Sequence, residues 1–378
     1  MLDLASRSAM KNPKSSPVAT AVVLSLSGQS YLRSQLAYYS DKPIHLILAD
    51  GSDSDWGNGS SGTLGDTTWE YFRLSGNGTY FARLKEACGR INTKYAFLLD
   101  DEDCTLWTGI TAAIAFLEMH PDYSAAGGGV AFSAGCSRRL GLVTGHRYQP
   151  IDLAQHEPIA RLRTLLANRK SAHIVYQVLR TEVLHAYATS MADISSEIPL
   201  GFAGRSFSWF IALSGKWMST DSPYSIRRQS PRTSATRELP NQVFTTEVAA
   251  ELSRRVIQAL DDLGGCGHKD KNSINLKTVT SMMLSHYSLS STYQEKRPPV
   301  YANWISDSLA ARIFSYFPAL YKVLRPTGIQ SIRRYAESFD AHSSKPQFHC
   351  DLSEIERLWL QYPQGLSEIE FEEYVKNL

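Results

Sequence analysis

Tyr95-Ala-Phe-Leu-Leu99 runs straight into Asp100-Asp101-Glu102-Asp103. A short apolar run without polar alternation reads as a buried strand. The four carboxylates at its end crowd one another, which is costly unless a cation neutralises them. Hard divalent ions such as Mg²⁺ want oxygen ligands, and commonly take one or two carboxylates plus substrate phosphates. A solvated acidic turn is the ordinary alternative. Position favours the functional reading, because in parallel α/β sheets ligands gather beyond the carboxyl ends of strands.

Outward from this stretch, strands and helices alternate. Val18–Leu26 is β-branched and apolar, and Tyr31–Tyr39 follows with helical spacing at Leu32, Leu36 and Tyr39. Ile44–Ala49 is a second strand ending at Asp50. Gly51–Gly65 is rich in Gly, Ser, Asp and Asn and is expected to be a long loop. A strand at Thr68–Leu74, a helix at Tyr80–Ile91, a helix at Leu106–Met119 and a strand at Ser124–Phe132 complete the first half. His173–Leu179 reads as a further strand. Such alternation predicts an α/β fold, a mostly parallel sheet flanked by helices. Residues 229–242 are polar and proline-containing, a natural boundary, and helices are expected at Phe244–Leu263, Ser306–Leu324, Leu352–Tyr362 and Ser367–Leu378.

The four blocks carry a resemblance. Leu24-Ser-Leu-Ser-Gly-Gln-Ser-Tyr-Leu-Arg33, Leu48-Ala-Asp50-Gly-Ser52, Thr93-Lys-Tyr95 through Asp103, and Phe116 through Ala125 resemble, in order, the nucleotide-binding half of GT-A fold glycosyltransferases of the family 2-like group. Ser27-Gly28-Gln29 departs from the Tyr/Phe-Asn-Arg usual there. The resemblance implies a GT-A type domain over residues 17–230, with 17–135 binding a nucleotide-sugar and 136–230 forming the acceptor half. A tail over 1–16 and a C-terminal helical region over 243–378 flank it. It implies that Asp50 and Ser52 meet the donor's base end, that Asp101 and Asp103 match the D-x-D aspartates holding ribose and a Mn²⁺ or Mg²⁺ ion, and that Arg83 lies near base and phosphates. A second register sets the metal pair at Asp100 and Glu102.

Transfer with inversion needs a base opposite the leaving diphosphate. By the same resemblance, Glu197, Gly215-Lys216 and Tyr224-Ser-Ile-Arg227-Arg228 keep the order of an acid at a helix start, a Gly-Lys and a Tyr-x-x-Arg strand. Glu197 is the first candidate for the base and Asp193 the second, with helix capping as the alternative. Arg227 and Arg228 are candidates to grip the diphosphate, since arginine pairs bidentately with phosphate oxygens. The implied partners are a nucleotide-diphosphate sugar and a glycan or lipid-linked acceptor.

Composition narrows the alternatives. With 378 residues, 43% hydrophobic and 20% charged, the chain can bury a large core, and a formal charge of +2 argues against a nucleic-acid partner. Five scattered cysteines without a Cys-x-x-Cys pair suit a reducing cytoplasm. The first seventeen residues lack an apolar signal core, no run is long enough to span a bilayer, and Asn58-Gly-Ser and Asn77-Gly-Thr read as turns. Leu309–Leu324 is apolar and aromatic with flanking cations, so peripheral contact with the cytoplasmic membrane face stands beside core packing. Gly264-Gly-Cys-Gly-His268 lacks the Lys-Ser/Thr of a P-loop and reads as a helix stop. Two other classes remain. A sugar nucleotidyltransferase would show a basic Gly-rich loop after the first strand, which Ser25-Leu-Ser-Gly-Gln29 lacks. A non-catalytic carbohydrate-binding protein could keep the fold.

Overall fold

The computed structural model describes residues 16–25, 35–51, 61–74, 80–99, 103–133, 142–143, 152–167, 174–194, 200–228, 245–263 and 274–295. The strands are β1 (Ala19–Ser25), β2 (Ile44–Asp50), β3 (Ser61–Leu64), β4 (Thr67–Arg73), β5 (Tyr95–Leu99), β6 (Cys104–Thr105), β7 (Tyr123–Ser133), β8 (Leu142–Val143), β9 (Val178–Arg180) and β10 (Lys216–Arg228). They form one sheet in the order β3-β4-β2-β1-β5-β9-β7-β10-β6, with β8 paired to β7. All the long strands run one way, because β1, β2, β4 and β5 pair in parallel and the short β9 lies antiparallel to both β5 and β7. β10 then pairs in parallel with β7. The mostly parallel α/β sheet expected from strand–helix alternation is what the chain forms.

The helices are α1 (Tyr80–Cys88), α2 (Trp107–Met119), α3 (Pro158–Ala167), α4 (Thr181–Met191), α5 (Leu200–Ser214), α6 (Thr246–Asp262) and α7 (Leu276–Glu295). Strand side chains alternate between faces, so continuous apolar strands feed two cores. Val22, Ile47, Phe72 and Leu98 face α1 and α3–α7. Val23, Leu46, Leu48 and Phe97 face α2 and the helical residues 35–39. Burial on both faces explains why these strands show no polar alternation.

Two expectations are corrected. Gly51–Gly65 is not loop throughout, since Ser61–Leu64 pairs antiparallel with β4. Gly65, at φ 63°, makes the turn, and a side chain there would collide with the Ser40 carbonyl. The strand expected at His173–Leu179 is instead a 3-10 turn at Ile174–Tyr176 followed by the three-residue β9. Gln177 sits between them and supplies the reason. Its amide oxygen accepts from Gly128 N–H at 2.9 Å, and a side chain on Gly127 would overlap its amide. The glycine run in β7 thus makes room for Gln177. Thr181, immediately after β9, opens α4.

Beyond the expected boundary, which lies outside the described residues, α6 is capped by Thr245, whose side chain accepts from Val248 N–H. Its Leu252, Val256 and Ala259 join the same core as α4 and α5. α7 has no counterpart among the helices expected from sequence. It is rich in Ser and Thr, and Val279 and Met283, one turn apart, carry its buried contact. The helices expected after residue 300 and the Gly264–His268 turn lie outside the described residues.

Arg161 is 1% exposed and locks the far side of this core. Its guanidinium donates to the carbonyls of Gln155, His156, Ala212 and Leu213, at 2.6–3.0 Å. The last two belong to the final turn of α5, where carbonyls lack helical partners and a cation meets the negative end of the dipole. Burial pulls its pKa down to about 10.

Candidate active site

The order of the sheet reverses at β1. The chain passes from β1 to β2 and β4 on one side, then returns to place β5 on the other. In open parallel sheets a cleft forms beyond the carboxyl ends of strands at such a reversal. Here those ends are Ser25, Asp50, Arg73 and Leu99, with Ser25, Asp50 and Arg73 directly in register. Asp100–Glu102 follow Leu99 and lie outside the described residues, as do Ser52 and Glu197.

Asp50 ends β2 on the face shared with Leu46 and Leu48 and is 1% exposed. Tyr71, from the neighbouring β4, donates its hydroxyl to Asp50 Oδ2 at 2.8 Å. Arg83, 3% exposed in the first turns of α1, reaches the same strand end from the other face. Its guanidinium occupies the space where a side chain on Gly51 would stand. Burial pulls the Arg83 pKa below the usual arginine value, while Tyr80 and Asp50 act in the opposite direction. A buried cation thus sits beside a buried carboxylate that is anchored by a phenol. Gly51→Ala is expected to push the flexible end of Arg83 out of this place without unfolding the chain. Its thermal midpoint should stay close to the parent's, while a ligand held at this strand end through Arg83 should lose roughly tenfold or more in affinity, read by calorimetry, because loss of a charge-assisted contact costs about 1.5–3 kcal/mol.

Asp103 is 7% exposed. The chain after it turns into β6, which pairs antiparallel with the end of β10 through Cys104↔Ile226 and Thr105↔Ser225. One step further along this register brings the backbone of Arg227 alongside Asp103. Arg227 and Arg228 also close the β10–β7 ladder opposite Phe132 and Ser133, at the carboxyl end of both strands. The sheet therefore brings the backbone of Arg227 to Asp103. Asp193 follows α4, is exposed, and its carbonyl accepts from Arg255 at 3.4 Å. α4 starts at the amino edge, where Arg180 pairs with Tyr95, and Tyr187 within it reaches Phe81 of α1. Asp193 thus lies towards the carboxyl edge. Lys216 of the Gly-Lys pair does not belong to this site. It sits at the amino edge, 2.7 Å from Asp122, and Gly215 is glycine there because Ser124 approaches too closely for a Cβ.

Sequence reasoning missed Tyr71, Gly51 and Gln35. Tyr71 could have been found from strand register, since it stands beside Leu48 and diagonal to Asp50. Gln35, whose amide donates to the Asp103 carbonyl at 3.0 Å, carries no local signal. Among the described residues no group of three or more His, Cys, Asp or Glu is placed to hold a metal. Asp103 supplies a buried oxygen donor next to the other three carboxylates of the sequence, an all-oxygen set that fits Mn²⁺ or Mg²⁺. Among the described residues no helix is long and apolar enough to cross a membrane.

Fold and site together define an α/β protein with a buried aspartate, a buried arginine and the buried Asp103 gathered towards the carboxyl edge of its sheet. No model of a known protein family and no curated protein matches the chain. Among solved structures it is similar to residues 1–349 of S. aureus TarS, at 12% identity and a TM-score of 0.45 over 93% of this chain and 92% of that one. The same protein in complex with UDP-GlcNAc gives 12% identity and a TM-score of 0.43, covering 93% of each chain.

Proposed function

We propose that the chain is a metal-dependent glycosyltransferase of GT-A type, inverting, which moves a sugar from a nucleotide-diphosphate donor to a glycan or lipid-linked acceptor. The observation that carries this reading is the convergence of Asp50, Arg83, Asp103 and the end of β10 on one edge of the sheet. Asp50 accepts from the base, Arg83 steadies the base end or the phosphates, and Asp101 and Asp103 hold the cation. Arg227 and Arg228 take the diphosphate. A bound Mn²⁺ or Mg²⁺ supplies the positive charge that the departing diphosphate requires. The protein works in the cytoplasm or at the cytoplasmic face of the membrane, where lipid-linked acceptors would be met.

Calorimetry of the full chain with nucleotide-sugars, beginning with UDP-GlcNAc, with and without Mn²⁺, tests the reading. Metal-enhanced binding of a donor is expected. Absence of such binding for every donor favours a non-catalytic binder, and pyrophosphate release from a sugar phosphate and a nucleoside triphosphate favours a nucleotidyltransferase.

Glu197 is the proposed base and Asp193 its substitute. Glu197→Gln should lower kcat about a hundredfold or more and leave donor affinity nearly unchanged. Steady-state kinetics of this variant and of Asp193→Asn separates the two carboxylates. Full activity in Glu197→Gln would reassign the base.

A further inference from the structure

The backbone that follows the acidic cluster is gripped from two sides. On one side β10 takes Cys104 and Thr105 into its ladder, and Leu106 N–H donates to the Tyr224 carbonyl at 2.7 Å. On the other, the helical residues 35–39 face it. Gln35 Nε2 donates to the Asp103 carbonyl at 3.0 Å, the Tyr39 hydroxyl donates to the Thr105 carbonyl at 2.6 Å, and the Tyr38 hydroxyl accepts from Trp107 N–H at 2.9 Å.

The geometry explains the pattern. In an extended segment alternate carbonyls point the same way, so the carbonyls of 103 and 105 face one side. Their spacing, two residues at about 3.3 Å each, is close to the rise of four helical residues, about 6 Å. Positions 35 and 39 are i and i+4 on one helix face, and their donors meet the two carbonyls. Position 38, also on that face, meets the N–H of 107. All three contacts are made by side chains that are themselves buried: Gln35 is 4% exposed, Tyr38 1% and Tyr39 fully enclosed. Thr67 adds to the rigidity by donating its hydroxyl to the Tyr39 carbonyl.

We propose that Gln35, with Tyr38 and Tyr39, positions the Asp103 carboxylate for cation binding. The proposal rests on the reading of Asp103 as a metal ligand. A carbonyl fixed from behind fixes the direction in which its own residue's carboxylate leaves the backbone. Metal affinity depends on such outer contacts because they set ligand orientation before the ion arrives. The clamp acts through Asp103 and touches no substrate, so Gln35 is a positioning residue.

The test is a titration of the full chain with Mn²⁺ in the presence of UDP, with free Mn²⁺ read by electron paramagnetic resonance well below the thermal midpoint. The difference from Asp103→Ala defines uptake at the site. Gln35→Met keeps the side-chain length and loses the donor, and is expected to weaken Mn²⁺ about five- to tenfold, the worth of one buried hydrogen bond. Gln35→Glu sets a carboxylate against the carbonyl and should weaken it further. UDP affinity without metal should stay within about twofold in both, a split that general loosening of the fold does not produce. Should the Gln35 variants fail to fold, Tyr39→Phe removes the second donor with its ring packing kept, and a several-fold loss of Mn²⁺ affinity with metal-free UDP binding intact is expected. A wild-type chain that takes up no Mn²⁺ overturns both the metal site and the clamp. Wild-type uptake matched by every folded variant overturns the clamp alone.

Discussion

Asp103→Ala is expected to abolish sugar transfer, by roughly a thousandfold or more, in a protein that melts no earlier than the parent. Stability should hold because the Gln35 bond ends on the Asp103 carbonyl, which alanine keeps. The carboxylate is buried beside three more acids in sequence, and removing one charge from such a group relieves repulsion. What disappears, on the proposed function, is an oxygen ligand for the cation. Donor turnover measured beside a thermal melt decides the matter. Retention of more than about a tenth of the activity, where loss of a ligand predicts far less, would move the metal to the alternative register of Asp100 and Glu102.

Arg161→Met should cost about 3–5 kcal/mol of stability, the range for stripping one partner from a buried charged network. Methionine fills much of the volume and removes every donor. The Ala212 and Leu213 carbonyls then face a thioether inside the core, and those of Gln155 and His156 at its rim lose the same donor. Arg161→Lys has one ammonium for carbonyls in two chain segments and should fall between. Denaturant unfolding of the three proteins gives the order. A loss below about 1 kcal/mol for the Met variant, the worth of a single hydrogen bond, would mean that water or a rearranged α5 end takes over.

The sheet is legible in the sequence wherever burial on both faces leaves a run of apolar residues. β5 is bounded to the residue by Tyr95–Leu99, and β1 and β2 within one residue at each end. β3 is hidden because its half-exposed Ser-Gly-Thr-Leu has no apolar face, and its pairing follows from the Gly65 turn. β9 starts later than the apolar pattern suggests because Ile174 and Val175, as apolar as any strand, bury themselves in a 3-10 turn. In the site, Asp50 and Arg83 can be named from sequence because both are charged. The approach of Arg83 to the end of β2, into the space left by the missing side chain of Gly51, is tertiary and leaves no local trace.

The ladder between β6 and β10 joins residue 104 to residue 226. Closing so long a loop carries an entropic penalty that grows slowly with length but must be met before the contact returns anything, and topologies rich in such contacts fold slowly. The segment bearing Asp103 can therefore reach its final support only after Lys216–Arg228 has left the ribosome and docked beside β7. Nascent chains shorter than this would hold the segment only from the side of Gln35, Tyr38 and Tyr39, so its second brace arrives late in biosynthesis, well after β1–β5 have been made.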